Sequence, residues 1–306
     1  MKNNVNANKR PSPFRRLVRG IVVCLVVVVA LWCALSCISH RTYNIDSDTS
    51  SLTKISVLTY NTHQMGKYAK PKQNRVIQYI QQTDADIVCL QEVEVHKDHH
   101  YLTLNELKRA LKQYPYTYFD FSVYNSRRQY GNAVFSKYPL ISKQTIRYDS
   151  RANISSRCDV VVASDTLRLF VNHLESNRLT GEDLEHDIDD LMNKLSSARQ
   201  IRNQQARKVK DEVNASPYPV LVVGDLNSIP LSYAYQHLRW GLRDCFLQTS
   251  LGKLGFTFVK HHLGIRIDYI LCSRSITPLS TDIDRVNYSD HYPMRSVIGI
   301  KKTNNQ

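Results

Sequence analysis

The sequence predicts one mixed α/β domain behind a short apolar segment near the N-terminus. Three observations lead there. From Lys54 onward, apolar segments of strand length interleave with segments of helical period. No Pro/Gly/Ser-rich linker and no repeat divides that stretch. Its length, roughly 250 residues, is within the range of a single domain.

Taken in order, KISVLTYN, ADIVCLQE, GNAVFSKYPL, RLFVNHLE, YPVLVVGDLN and RIDYILCS read as strands, with MRSVIGI as the last. All are rich in Val, Ile, Leu or aromatic residues. Gln73–Gln82 and Leu102–Lys112 carry apolar residues at helical spacing. A long charged helix is expected within Asp183–Val213, with Leu184, Ile188, Leu191 and Leu195 as its apolar positions. The acids Glu182, Asp183 and Glu185 suit its positive N-terminal end, and Lys208 and Lys210 its negative C-terminal end.

The N-terminal segment is different in kind. Ile21–Ile38 reads IVVCLVVVVALWCALSCI, eighteen residues without a charge. At ~1.5 Å per residue a helix of that length just crosses a bilayer's hydrocarbon core. Lys and Arg lie on its N-terminal flank, so the positive-inside rule keeps the tail cytoplasmic and exports the remainder of the chain. The expected organisation is a basic tail (1–20), a single-pass signal anchor (21–38), a polar linker (39–52) and a catalytic domain (53–302). A cleaved signal and a lipid-modified Cys37 are the alternatives.

The 306 residues carry a net charge of +14. Seven Lys and Arg against two Asp precede residue 51, so the remainder, with 34 basic and 25 acidic residues, still stands at +9. Such a balance suits a polyanionic partner, nucleic acid or an acidic membrane surface, or merely a basic soluble surface. Cys89, Cys158, Cys245 and Cys272 lack C-x-x-C spacing, which argues against a zinc site or a disulfide framework and for buried single thiols.

Polar and acidic residues recur at the ends of successive apolar strands. Asn61 ends ISVLTYN, Glu92 ends DIVCLQE, Asn172 and His173 end LRLFVNH, and Asp225 and Asn227 come after PVLVVG. Asp268 lies within RIDYIL, and Asp290 and His291 precede the last strand. Strand ends along one edge of a packed sheet converge, so these groups can share a cleft. Several carboxylates in one cleft repel unless a cation neutralises them, and oxygen-rich donors favour Mg²⁺ or Mn²⁺ over zinc. Each residue alone reads as a cap, a turn or a core histidine. Their joint occurrence points to metal-assisted hydrolysis of a phosphate ester.

With LTYN, CLQEV, YGNAVFSKYPL, VNHLES, GDLNSIP, RIDYIL and SDHYP in this order, the chain resembles the endonuclease/exonuclease/phosphatase superfamily from about Lys54 to Ile300. The resemblance implies a four-layer α/β sandwich, deoxyribonuclease I-like, in which two packed, mostly antiparallel central sheets are flanked by helices. It implies that Glu92, with Asn61 nearby and Asp290, holds the metal. Asp225 then orients or deprotonates water, Asn227 donates to phosphate or nucleophile, and His291, oriented by Asp268, stabilises developing charge. His173 assists phosphate binding or leaving-group protonation. Arg202, Gln205 and Ala206 match a helix motif in which Arg202 is structural. Arg127, Arg128, Tyr130 and Asn132 either reach a phosphate or belong to a basic surface loop.

The fold and motifs indicate a reaction type rather than a substrate. The basic domain and His173 favour nucleic acid and a nuclease. A membrane anchor favours a sphingomyelinase-like or other phospholipid or phosphoinositide phosphoesterase. A catalytically silent binding module is the reading from another class, and the intact polar set argues against it. A monomer is expected.

Overall fold

The computed structural model describes residues 20–24, 27–28, 51–65, 70–150, 152–177, 188–260 and 263–301. The chain divides into two compact units, Met1–Ser36 and Cys37–Gln306. In the first, residues 20–24 and 27–28 are helical, and the rest of the segment 21–38 lies outside the described residues. The expected membrane-spanning anchor, and the extracytoplasmic location inferred from it, are corrected: among the described residues no helix is long and apolar enough to cross a membrane.

In the second unit the chain runs β1 (Leu52–Asn61), α1 (Arg75–Thr83), β2 (Ile87–His96), α2 (Leu104–Ala110), β3 (Tyr116–Tyr124), β4 (Arg128–Ser136) and β5 (Leu140–Arg147). It continues through β6 (Ile154–Val162), β7 (Asp165–His173), α3 (Ile188–Asn214), β8 (Val220–Asp225), α4 (Tyr233–Arg239), β9 (Leu242–Asp244) and α5 (Cys245–Thr249). It closes with β10 (Phe258–Lys260), β11 (Leu263–Ile265), β12 (Asp268–Ser273), β13 (Thr277–Ile283) and β14 (Met294–Lys301).

Two six-stranded sheets result, ordered β13-β14-β1-β2-β4-β3 and β5-β6-β7-β8-β12-β9. Each is antiparallel except for one internal parallel pair, β1 with β2 and β7 with β8. Because the central strands are covered on both faces, they read as continuous apolar runs rather than alternating ones. The strand period of two then sorts their side chains into layers. Val57, Cys89, Val223 and Ile270 face the space between the sheets. Leu58 and Leu90 turn outward onto Ile77, Ile80 and Leu107 of α1 and α2. Val222 and Leu271 turn outward onto Val209, Val213 and Leu238 of α3 and α4. Three apolar layers between four structural layers make the expected α/β sandwich.

Local signals account for the helix ends. Asn74 caps α1 by accepting the Ile77 N–H. Thr103 and Glu106 form a reciprocal capping box at α2. Thr103→Ala is expected to lower unfolding free energy by about 1 kcal/mol, measured by urea denaturation.

The packing face of α3 differs from the expected one. Ala198, Ala206, Val209 and Val213 are buried, together with the polar Arg202, Gln205 and Lys210, whereas Leu191 and Leu195 are only half-buried. Leu184 lies outside the described residues. The helix packs on the sheet through small and β-branched residues, which fit close to a flat surface. Among the described residues of this unit, Cys89, Cys158, Cys245 and Cys272 are free and buried, with Cys245 Sγ donating to Cys272 Sγ at 3.8 Å.

Candidate active site

The parallel pairs bring chemistry to one edge. Asn61 is in register with Gln91, and His173 with Asp225. Strand β12 runs antiparallel to β8, so its first residue, Asp268, pairs with the last residue of β8, Asp225. Strand β14 runs antiparallel to β1, and its first residue, Met294, pairs with Thr59, so the turn holding Asp290 and His291 arrives at the same edge.

The carboxylate of Asp225 is almost fully enclosed. It accepts from the Asn61 amide across the gap between the sheets (3.0 Å), from the Asn227 backbone N–H (2.7 Å) and from the Asn227 amide (3.2 Å). Asn227 Nδ2 also donates to the Leu174 carbonyl at 2.9 Å. Both amide directions of Asn227 therefore point at protein oxygens, which makes it an orienting group for Asp225 in this arrangement. Burial and the neighbouring Asp268 push the pKa of Asp225 up; His291 and His173 oppose them.

His291 Nδ1 lies 2.8 Å from Asp268 Oδ2, and its Nε2 lies 3.7 Å from Asp225 Oδ2. Burial alone disfavours the imidazolium. Asp268, Asp225 and Asp290 outweigh burial and raise the His291 pKa to about 10. The three side chains of Asp225, Asp268 and His291 have ligand atoms within 4.8 Å of one another. With Nδ1 and Oδ2 already joined, the trio has the geometry of an acid–histidine relay rather than of a hard-cation site.

Glu92 stands beside it for a local reason. The β2–β4 register shifts between Leu90 and Val93, and Glu92 has φ +54°. The bulge takes Glu92 out of the strand's alternation and re-aims its carboxylate toward the edge. Thr62 Oγ1 donates to the Gln91 and Glu92 carbonyls, and the Gln64 N–H to the Glu92 carbonyl, which locks the bulge. Glu92 Oε1 accepts from Asn61 Nδ2 (3.1 Å) and lies 3.4 Å from His173 Nε2. Burial raises its pKa, but His173, the Asn61 amide, His291 and His63 together bring it below the ordinary carboxylate value. Asp290 is the open member, 3.3 Å from His63 Nδ1 and bonded by Ser289 Oγ. His63, Gln64, Glu92 and Asn227 all have positive φ, so backbone strain concentrates here.

A profile of the endonuclease/exonuclease/phosphatase family matches residues 42–291. The chain belongs to this family. No curated protein matches the sequence at a significant level. Among solved structures, an endonuclease/exonuclease/phosphatase from Beutenbergia cavernae is similar at 19% identity, with 81% of this chain and 72% of that one covered and a TM-score of 0.59. A family protein from Bacteroides thetaiotaomicron is similar at 16% identity, 82% and 99% coverage and a TM-score of 0.61. D. rerio TDP2 complexed with a single strand DNA product is similar at 17% identity, 80% and 99% coverage and a TM-score of 0.59. At such identities the likeness establishes the shared fold.

This endonuclease/exonuclease/phosphatase chain thus gathers Asn61, Glu92, His173, Asp225, Asn227, Asp268, Asp290 and His291 at one edge. A cavity of about 190 Å³ opens beside Glu92 and His173, lined also by Gln64, Arg128, Tyr130 and Asn153. Asn132 departs from its expected place near substrate. It shares the inter-sheet face of β4 with Tyr130 but lies one pleat deeper, where its amide donates to Ser156 Oγ and the Val171 carbonyl between the sheets. Arg202 donates to the Glu175 carbonyl and to Asn177 Oδ1, so it holds the segment after His173, a structural role. Sequence reasoning missed His63, Gln64 and Asn153. The spacing of His63, two residues after Asn61, was the available signal; Asn153 had none.

Proposed function

We propose that the chain is a divalent-metal-dependent phosphodiesterase acting on nucleic acid, with residues 53–302 as its catalytic domain. The observation that carries this is His291 between Asp268 and Asp225, beside the re-aimed carboxylate of Glu92. In this reading Asp225, oriented by Asn61 and Asn227, takes a proton from the attacking water; its raised pKa brings it closer to the working range of a general base. His291, protonated, donates from Nε2 to the oxyanion that grows on phosphorus. Asp268 fixes its tautomer and orientation. His173, 3.4 Å from Glu92 and in register with Asp225, assists the phosphate or the leaving oxygen.

Glu92, Asp290 and the Asn61 side-chain carbonyl are the groups that would hold the cation. They fit a hard ion, since the donors are oxygens, two of them anionic, and Glu92 borders a cavity while Asp290 is partly exposed. Bound there, Mg²⁺ or Mn²⁺ neutralises phosphoryl charge.

Nucleic acid is favoured by the surroundings of the cavity. Arg128 also lines an open cavity of about 930 Å³ with Lys97, Tyr101, Asn125 and Arg127. Lys97 lies over the exposed Tyr124 ring at 5.2 Å, and His96 stacks on Tyr101 at 4.4 Å. Cations interleaved with exposed rings suit a single-stranded phosphodiester chain. The single strand DNA product seen with the similarly folded D. rerio TDP2 points the same way.

The test compares single-stranded and duplex DNA, RNA, bis-nitrophenyl phosphate, sphingomyelin and phosphoinositides, each with Mg²⁺, Mn²⁺ or chelator. Metal-dependent cleavage of a nucleic acid is expected. Preferential turnover of a lipid would replace the substrate assignment, and no metal-dependent turnover of any member would overturn the reading.

A further inference from the structure

We propose that Thr257 is a positioning residue for the Asp268–His291 pair; this rests on the phosphodiesterase reading of the site. The pair straddles the two sheets. Asp268 opens β12 in one sheet, and His291 belongs to the turn that leads into β14 in the other. Apolar packing between sheets is non-directional and does not fix a hydrogen bond to a few tenths of an ångström. A directional link has to do so.

Thr257 supplies that link from both sides. It is fully buried, in the segment just before β10. Its Oγ1 accepts the backbone N–H groups of Ile267 (3.1 Å) and Asp268 (3.0 Å). Its carbonyl accepts the N–H of Tyr292, the residue after His291, at 2.6 Å. The next residue, Phe258, forms an isolated β-bridge with His291, and its ring centroid lies 5.0 Å from the imidazole's. The Thr257 N–H donates to the Ile265 carbonyl, which anchors the segment against the strand that precedes Asp268. One residue therefore ties the backbone of the acid to the backbone beside the histidine, and its neighbour covers the imidazole. The hydroxyl is the part that only Ser or Thr provides here, since it must accept two adjacent N–H groups in a buried space.

The test is steady-state kinetics on bis-nitrophenyl phosphate with Mn²⁺, using the full chain. Thr257→Val keeps the shape and removes the acceptor, so kcat is expected to fall about 10–100-fold, the scale of a small misplacement of a reacting group. KM should stay within about threefold, and Thr257→Ser should restore kcat to within about threefold of wild type. A loss carried by KM, or a Ser variant as impaired as Val, would overturn the proposal. Should the Val variant fail to fold, amide exchange on the wild-type protein decides: Asp268 and Tyr292 should exchange as slowly as the core of β8, and rapid exchange of either would overturn the link. Asp225→Asn is measured alongside. If it retains the wild-type kcat, the site reading has failed, which is a different result from a normal Thr257→Val beside an inactive Asp225→Asn.

Discussion

Asp225→Asn is expected to lower kcat for phosphodiester hydrolysis by about 10²–10⁴-fold, the usual contribution of a positioned general base. Its effect on stability should depend on pH. The amide is isosteric but has one oxygen, whereas the carboxylate accepts the Asn227 backbone N–H on Oδ1 and the Asn61 amide on Oδ2, so one of these bonds is lost at every pH. Burial and Asp268 raise the Asp225 pKa from 3.8 to about 6, so the folded state holds the proton more tightly than the unfolded one does. Stability contributed at this position is therefore greatest below the unfolded value and falls as pH rises through that window. Asn carries no such penalty. In chelator, the melting temperature of the variant minus that of wild type should become more positive between pH 4 and pH 7. Activity within tenfold of wild type would remove Asp225 from the reaction. A difference that stays flat or becomes more negative over that window would show that the folded state does not hold this proton more tightly. An inactive variant with that rising difference is the signature of a carboxylate whose burial costs stability and serves function.

The fold was legible because its central strands are buried on both faces. ISVLTYN, DIVCLQE and PVLVVG are apolar over most of their length, a pattern that sheets covered by helices require. The site was legible because parallel pairing forces successive strand ends to one edge, so residues that close apolar runs were bound to meet. The features that escaped depend on geometry without a sequence period. YTYFDFSVY, which forms β3, is an edge strand with mixed exposure, and its aromatics carry no core signature. The bulge that re-aims Glu92 leaves no mark in CLQEV, since either Gln91 or Glu92 could have been the inward residue. For Asn132 and Asn227 the resemblance implies places near the phosphate. In the structure Asn132 bridges the sheets from deeper along the face it shares with Tyr130, and Asn227 turns its amide onto the Leu174 carbonyl and Asp225. For α3 the leucines misled: the charged helix packs through Ala206, Val209 and Val213, because a close approach to the sheet selects small side chains.

Gly224→Ala is expected to lower unfolding free energy by about 2–6 kcal/mol, combining backbone strain and overpacking of about 1–3 kcal/mol each. Gly224 has φ +118°, which an L side chain rarely adopts, and a Cβ there would sit 2.2 Å from the Asn172 carbonyl oxygen. Neither side has room to yield. Asn172 is the register partner of Gly224 across β7 and β8, is fully buried, and returns its own amide to the Val223 carbonyl. The clash would push apart the two strands one residue before His173 and Asp225, so loss of stability and loss of kcat should appear together. Gly241→Ala separates the contributions. Gly241 also has positive φ, +81°, but nothing lies within 4 Å of its would-be Cβ, so only the conformational cost of about 1–2 kcal/mol applies. Urea denaturation of the pair should show Gly224→Ala falling well below Gly241→Ala, with kcat affected only in the former. Equal losses would mean that the close approach of β8 to β7 is not what holds His173 and Asp225 together, and that the site's edge is positioned by the loops instead.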